Sequence, residues 1–298
     1  MIESALRRIL FLADADPATA RRLGGLTNLN YLVTHNGERF VVRVPGEGTH
    51  EYIDRRAEAT AARVASEAGV NAELLFFDDT DGLMVTRFID GATTMDGARF
   101  VALDAVARAA DVLRRLHQGG RQFATDFRLF PILDEYKNLL AVKRARMPDG
   151  FDDVQAAAES ARVALVTHPV GLVACHCDPL CENFLDVGSQ MFLIDYEYAA
   201  NNDPMWDLGD LSIEGGFSAD QDAVLLRAYF GTAPTDDAVA RMVVYKAMAD
   251  LLWSLWGVVQ HVNANPVDDF WAYAVNRFER GRSLIESPSW NDLVAAIR

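Results

Sequence analysis

The stretch Cys175-His176-Cys177-Asp178-Pro179-Leu180-Cys181-Glu182-Asn183 holds every cysteine of the chain, and Asp195 follows it after an apolar run. Two chemistries compete for these residues. In one, Cys175, His176, Cys177 and Cys181 are zinc ligands. Structural zinc sites usually draw ligands from two separated knuckles, so that the metal closes a loop. No second cysteine pair exists here, and adjacent Cys-His-Cys is cramped around one tetrahedral ion. In the other chemistry the sulfurs are incidental. Asp178 at the loop centre accepts the proton of an attacking hydroxyl, Asn183 offers its side-chain oxygen to Mg²⁺, and Asp195 holds the Mg²⁺ that bridges phosphates. Taken singly, Asp178 before Pro179 fits a turn and Asp195 a strand-end cap. His176, Asp178, Asn183 and Asp195 together carry the spacing of a phosphoryl-transfer loop, and that reading is preferred.

The elements that must position this loop fall into two regions. Tyr31-Leu32-Val33 and Phe40–Val44 are β-rich runs joined at Asn36-Gly37, a strong hairpin signal. Gly24-Gly25 precedes the first run as a flexible turn. The segment EYIDRRAEATAARVASEAGV has helical spacing and a stop at Gly69, and AELLFFDD and LMVTRFI predict two more strands. From about residue 95 the periodicity is helical: FVALDAVARAADVLRRLHQ, FDDVQAAAESARVALV, DAVLLRAYF, DAVARMVVYKAMADLLWSLWGVVQHV and FWAYAVNRFERGRSLI. The first twenty-odd residues also carry Leu, Arg and Ala at helical spacing. Short apolar strands break the later pattern only on either side of the loop. The expectation is an α+β, bilobal chain. A small antiparallel-β lobe with one main helix spans residues 1–90, a crossover lies at about 86–92, and a larger, mostly helical lobe spans 93–298.

A net charge of -15 speaks against a nucleic-acid partner, since phosphate backbones need clustered Lys and Arg. The N-terminal residues lack a signal-peptide apolar core, and LLWSLWGVVQ is too short to span a bilayer, so no membrane insertion is expected. Three cysteines without an export signal do not make a disulfide framework. The expectation is a cytoplasmic enzyme.

The loop, with IDYEY at the following strand end, resembles the choline/ethanolamine kinase family, within the aminoglycoside-phosphotransferase-like group of protein-kinase-like folds. The resemblance runs from about residue 22 to residue 280. It implies ATP and Mg²⁺ as cofactors, Asp178 as catalytic base, Asn183 and Asp195 as Mg²⁺ ligands, Glu197 as a further carboxylate near a second metal, and His176 as a buttress of the loop. GGLTNLNYLVT would be the nucleotide-binding hairpin, with Gly25, Thr27 and Asn28 approaching the phosphates. Arg43 stands where protein kinases carry Lys; its planar fork still bridges phosphates, and Glu58 would be its ion-pair partner. Asp207 would steady the loop by hydrogen bonding.

On spacing alone, Trp253 and Trp256 share one helix face and read as a core stripe. Two such rings can also wall a quaternary ammonium. The resemblance, to a Trp-Gly-Leu-Trp helix lining a choline pocket, favours the second use, although Ser254 replaces the Gly. It adds Tyr273, with Trp271 as competitor, and Glu214 near the cationic head. Phe217 stands where eukaryotic members have Tyr-rich segments. The resemblance thus implies transfer of phosphate from ATP to the hydroxyl of choline or a related cationic amino alcohol such as ethanolamine. The alternatives are an aminoglycoside or other small-alcohol kinase of the same fold, or a non-catalytic cation-binding module.

Overall fold

A computed structural model describes residues 1–24, 28–46 and 53–298. Gly25 and Thr27 lie outside the described residues. Helix α1 (Ile2–Arg8) is followed by two 3-10 turns, Leu10–Leu12 and Pro17–Thr19, so the N-terminal α-helix is shorter than its periodicity suggests. Leu6, Ile9 and Leu12 are nonetheless all buried, because spacing of three suits both helix types.

Strands β1 (Arg21–Arg22), β2 (Leu29–His35) and β3 (Glu38–Val44), helix α2 (Arg55–Glu67), and strands β4 (Leu74–Phe77) and β5 (Met84–Arg87) follow. The five strands form one antiparallel sheet in the order β1-β2-β3-β5-β4. Asn36 and Gly37 both have positive φ, 52° and 79°, as a two-residue turn matched to strand twist requires. Side chains alternate along β3, so Phe40 and Val42 join Val33, Val85 and α1 in an apolar cluster while Arg43 faces the other way. Asp54 caps α2 by accepting from the N–H groups of Arg56 and Ala57, which starts the helix three residues before Glu58.

The remaining elements are β6 (Thr93–Thr94), α3 (Leu103–His117), α4 (Leu129–Val142), α5 (Phe151–Thr167), β7 (Val173–Cys175), β8 (Phe184–Asp186), β9 (Met191–Leu193), β10 (Ala200–Asn202), α6 (Pro204–Glu214), α7 (Ala219–Phe230), α8 (Asp236–Val262), α9 (Phe270–Ile285) and α10 (Trp290–Ala296). β7 pairs with β10, and β6, β8 and β9 form a second small sheet. These ladders fix both ends of the stretch that carries His176 to Asp195.

The main core runs through α3 to α10 and also takes in Ala61, Ala62, Val64 and Ala65 of α2. The Leu193 N–H donates to the Val70 carbonyl at 2.8 Å. The prominent helix of the sheet region is therefore packed into the core of the helical region, which couples Glu58 on α2 to the segment after β9.

LLWSLWGVVQ lies inside the 27-residue α8, which by length and composition alone could cross a membrane, contrary to the expectation from the short stretch. Its most apolar window is 83% buried within the protein, as a core helix requires. Backbones approach closely around it. A Cβ on Gly209 of α6 would sit 2.8 Å from the Met242 carbonyl, and one on Gly257 would sit 2.8 Å from the Tyr273 ring.

Candidate active site

The chain from His176 to Asn183 is held from beneath by α6. Asp207, fully buried, accepts from the backbone N–H of His176 (2.7 Å) and of Cys177 (2.8 Å). The Trp206 indole donates to the Cys177 carbonyl at 3.1 Å. Asp207 also meets His117 Nε2 at 3.0 Å, and His117 Nδ1 meets the Tyr229 hydroxyl at 2.9 Å. This anchoring matters because Cys177 has φ 66°, a left-handed conformation that costs a side-chain-bearing residue about 1–3 kcal/mol. Asp195 shares it, with φ 69°. His176 Nε2 donates to the Ile194 carbonyl at 2.9 Å, tying the loop to the residue before Asp195. Burial lowers the His176 pKa, so the ring is a neutral spacer.

Asn183 closes the loop. Its side-chain N–H donates to the Asp178 carbonyl at 3.1 Å, and its own carbonyl accepts from the Ile194 N–H at 2.9 Å. With the amide nitrogen committed, Oδ1 is the atom left to meet a cation. Burial pushes the Asp178 carboxyl well up, and Glu214, Glu197 and Asp195 add to the effect while Arg277 opposes it.

On the sheet side, Arg43 forms a buried ion pair with Glu58 and reaches Asp195 at 3.3 Å. Arg55 binds the other side of Glu58 at 2.7 Å and lies 3.9 Å from Glu197. Asn28 donates to Glu197 at 3.1 Å and accepts from the Gly46 N–H at 3.4 Å, so its side chain is committed within the protein. Oxygen atoms of Glu58, Asp195 and Glu197 all lie within 4.8 Å of one another. Burial and the Asp195 charge push Glu197 up to about 8. Arg55 is an addition that the sequence signals only as the residue three before Glu58. Gly82 makes room for it: a Cβ there would collide with the Arg55 side chain at 2.6 Å.

On the helical side, Trp253 and Trp256 have ring centroids 6.4 Å apart at 87°. Trp253 is buried, with 7% exposure, and also meets Tyr198 edge-on. Trp256 is half-buried and packs against Phe270 and Tyr273. Trp271 instead meets His261 at a tilt of 51° and is covered by Arg146. Glu214 is ion-paired with Arg277. The same guanidinium donates to the Tyr273 hydroxyl at 3.1 Å and to Asp250 at 3.1 Å. Arg277 is absent from the sequence-based expectations, and so is a second residue that joins this group. Asp210 of α6 accepts from the Trp253 indole at 3.1 Å. Phe217 packs on Phe100, away from these rings.

The cysteines are free and buried. Burial pushes Cys175 and Cys177 well up and Cys181 to about 12, so none is a ready thiolate. Among the described residues the metal-capable group that contains sulfur takes Cys175 with His117 and Asp207, not the four-ligand knuckle. Those His117 and Asp207 atoms are already hydrogen-bonded.

A family model described as the phosphotransferase enzyme family matches residues 19–242. A choline/ethanolamine kinase family protein from Mesorhizobium loti superposes with a TM-score of 0.92 at 47% identity, covering 100% of this chain and 98% of that one. The choline kinase LicA from Streptococcus pneumoniae gives 0.78 at 27% identity, over 95% of this chain and 97% of that one. LicA in complex with AMP gives 0.77 at 27% identity, over 95% and 96%. The chain belongs to the phosphotransferase enzyme family and, within it, to the choline/ethanolamine kinase family.

Proposed function

We propose that this protein is a cytoplasmic, ATP-dependent phosphotransferase that phosphorylates the hydroxyl of choline or a related amino alcohol such as ethanolamine. The observation that carries the reading is the convergence of Asp195, Glu197 and Glu214 on Asp178, which burial raises and these three charges raise further, against Arg277. Such a cluster favours cations from both substrates: a divalent ion carried with ATP and the ammonium of the acceptor. Relatives of matching length named as a choline kinase, and a complex with AMP, support the same pair.

Asp178 accepts the proton of the acceptor hydroxyl. Arg43, steadied by Glu58, faces the phosphates, while Gly25, Thr27 and Asn28 flank them. Phosphoryl transfer needs little more from a protein than position and charge. The donors Asn183, Asp195 and Glu197 suit Mg²⁺, which takes hard oxygen ligands, and Glu197, raised by burial and by the Asp195 charge, would be relieved by a divalent ion. When bound, Mg²⁺ neutralises the developing phosphate charge. Trp253, Trp256 and Tyr273 wall the cationic head, and Glu214, through Arg277, sets the pocket's charge. The nucleotide lobe is assigned to residues 1–90 and the acceptor lobe to 93–298. In support, β5 ends at Arg87, the Phe88 N–H still donates to the Arg39 carbonyl, and Asp90 pairs with the Arg39 side chain, so the last ties to the sheet fall within the crossover.

Acceptor-dependent ADP release with choline, ethanolamine and an aminoglycoside tests the reading. Turnover of the amino alcohols and not of the aminoglycoside is expected. The reverse order overturns it, as does tight choline binding without turnover.

A further inference from the structure

Resting on the amino-alcohol reading, the geometry points to Asp210 as the specificity-determining residue. Its free carboxylate oxygen accepts an N–H from the acceptor's ammonium, so the preferred acceptor carries at least one hydrogen on nitrogen.

Asp210 is 0% exposed. Its Oδ1 is held by the Trp253 indole, and its Oδ2 has no hydrogen-bond partner among the described residues. A carboxylate only accepts, and a buried acceptor left unmade is costly. The place of the residue says what should fill the gap. On α6, Asp207, Asp210 and Glu214 lie at spacings of three and four, along one helix face. Asp207 holds the loop that carries Asp178, and Glu214 holds Arg277. Asp210 therefore sits one helix turn from the residue that holds the Asp178 loop, and beside Trp253.

Apart from Asp178, assigned to the acceptor hydroxyl, the neighbouring carboxylates Glu214 and Asp250 are engaged by arginines. Glu214 and the Tyr273 hydroxyl both take Arg277, whose guanidinium also lies 5.2 Å over the Tyr273 ring. Asp250 has one unpartnered oxygen too, but its other oxygen carries both Arg277 and Arg280. A resident cation thus occupies the contacts that sequence resemblance gave to the substrate, and while its charge also reaches Asp210, it leaves Oδ2 without a donor. Burial and the Glu214 charge push its carboxyl up, Arg277 opposes and Asp178 adds to the rise, which an incoming ammonium would relieve. A quaternary ammonium has no N–H and leaves Oδ2 unmade. Sites built around a hydrogen bond discriminate steeply against analogues that lack the donor.

The test is kcat/KM for ethanolamine, N-methylethanolamine, N,N-dimethylethanolamine and choline, with wild type, Asp210→Asn and Trp253→Phe. The wild type should lose about tenfold or more at the last step, where the final N–H disappears. Asp210→Asn should lower the ethanolamine-to-choline ratio by about tenfold, and Trp253→Phe, which keeps a ring but frees Oδ1, should lower it less. Thermal melting and ADP binding check that the variants fold. Should Asp210→Asn not fold, the wild-type series and Trp253→Phe decide. Equal or better use of choline than of dimethylethanolamine by wild type overturns the inference, and so does an equal loss on all four acceptors in the variants. Failure to turn over any of the four overturns the amino-alcohol reading itself, and this inference with it.

Discussion

Arg43 and Arg277 are both buried guanidiniums that bridge elements distant in sequence, and they leave opposite remainders. Arg43 joins β3 to Glu58 on α2 and to Asp195, yet its Nε has no partner. Arg277 on α9 spends its donors on Tyr273, Asp250 and Glu214. What remains unmade around it is mostly acceptor, Asp210 Oδ2 and Asp250 Oδ2, against one donor, Arg280 Nε. Buried polar groups are nearly always satisfied, so an orphan suggests the ligand that completes it. A spare donor on the sheet side suits a polyphosphate, and a spare acceptor on the helical side suits an ammonium. The two sides are alike in burial and differ in the balance of what they lack, the helical side having the excess of acceptors.

The residue on the seam should break neither side. Asp178→Asn is expected to lower kcat by about a thousandfold, within the range of a lost general base, with nucleotide binding nearly intact. ADP release and nucleotide titration check this; full activity removes the base assignment. The next effect is smaller and separates the sides. Arg43→Ala leaves Glu58 short of a partner and should cost about 3 kcal/mol of stability, as broken buried pairs do. It should raise KM for ATP while leaving the acceptor KM nearly unchanged. Arg277→Ala should cost a similar amount with the opposite KM pattern. Denaturant melts and two-substrate kinetics read both, and equal KM changes in either variant would erase the contrast.

The legible parts of the molecule were those written locally. The turn at Asn36-Gly37, the spacing from His176 to Asp195, and the Trp253–Trp256 face each lie within one short stretch. The α+β plan followed from the change of periodicity near residue 95, and the family comparison agrees with it. Helix α6 left no such signal because every residue from Met205 to Ile213 is buried, which removes the polar face that a period needs. Helix α4 was hidden by Pro131, which sits in its first turn, where no intrahelical N–H is lost. Asp210 and Arg277 were illegible for another reason. Asp210 gains meaning only from Trp253, and Glu214 is spoken for only because α9 brings Arg277 to it. The left-handed backbone at Cys177 and Asp195 was equally silent, since neither residue type announces it.

The smallest expected effect tests whether the helical side uses ring faces as well as acceptors. Trp256 is half-buried and ringed by Trp253, Phe270 and Tyr273 at 5.5–6.4 Å. Trp256→Leu keeps an apolar side chain there and removes the quadrupole. A cation over one ring is worth about 1 kcal/mol, so the acceptor KM should rise about fivefold, with kcat and the ATP KM nearly constant. A neutral alcohol of choline's shape, 3,3-dimethyl-1-butanol, supplies the control. If its binding weakens as much as that of the cationic acceptors, Trp256 contributes apolar surface alone. The helical side would then rest on carboxylates, and its contrast with the sheet side would reduce to a difference of charge.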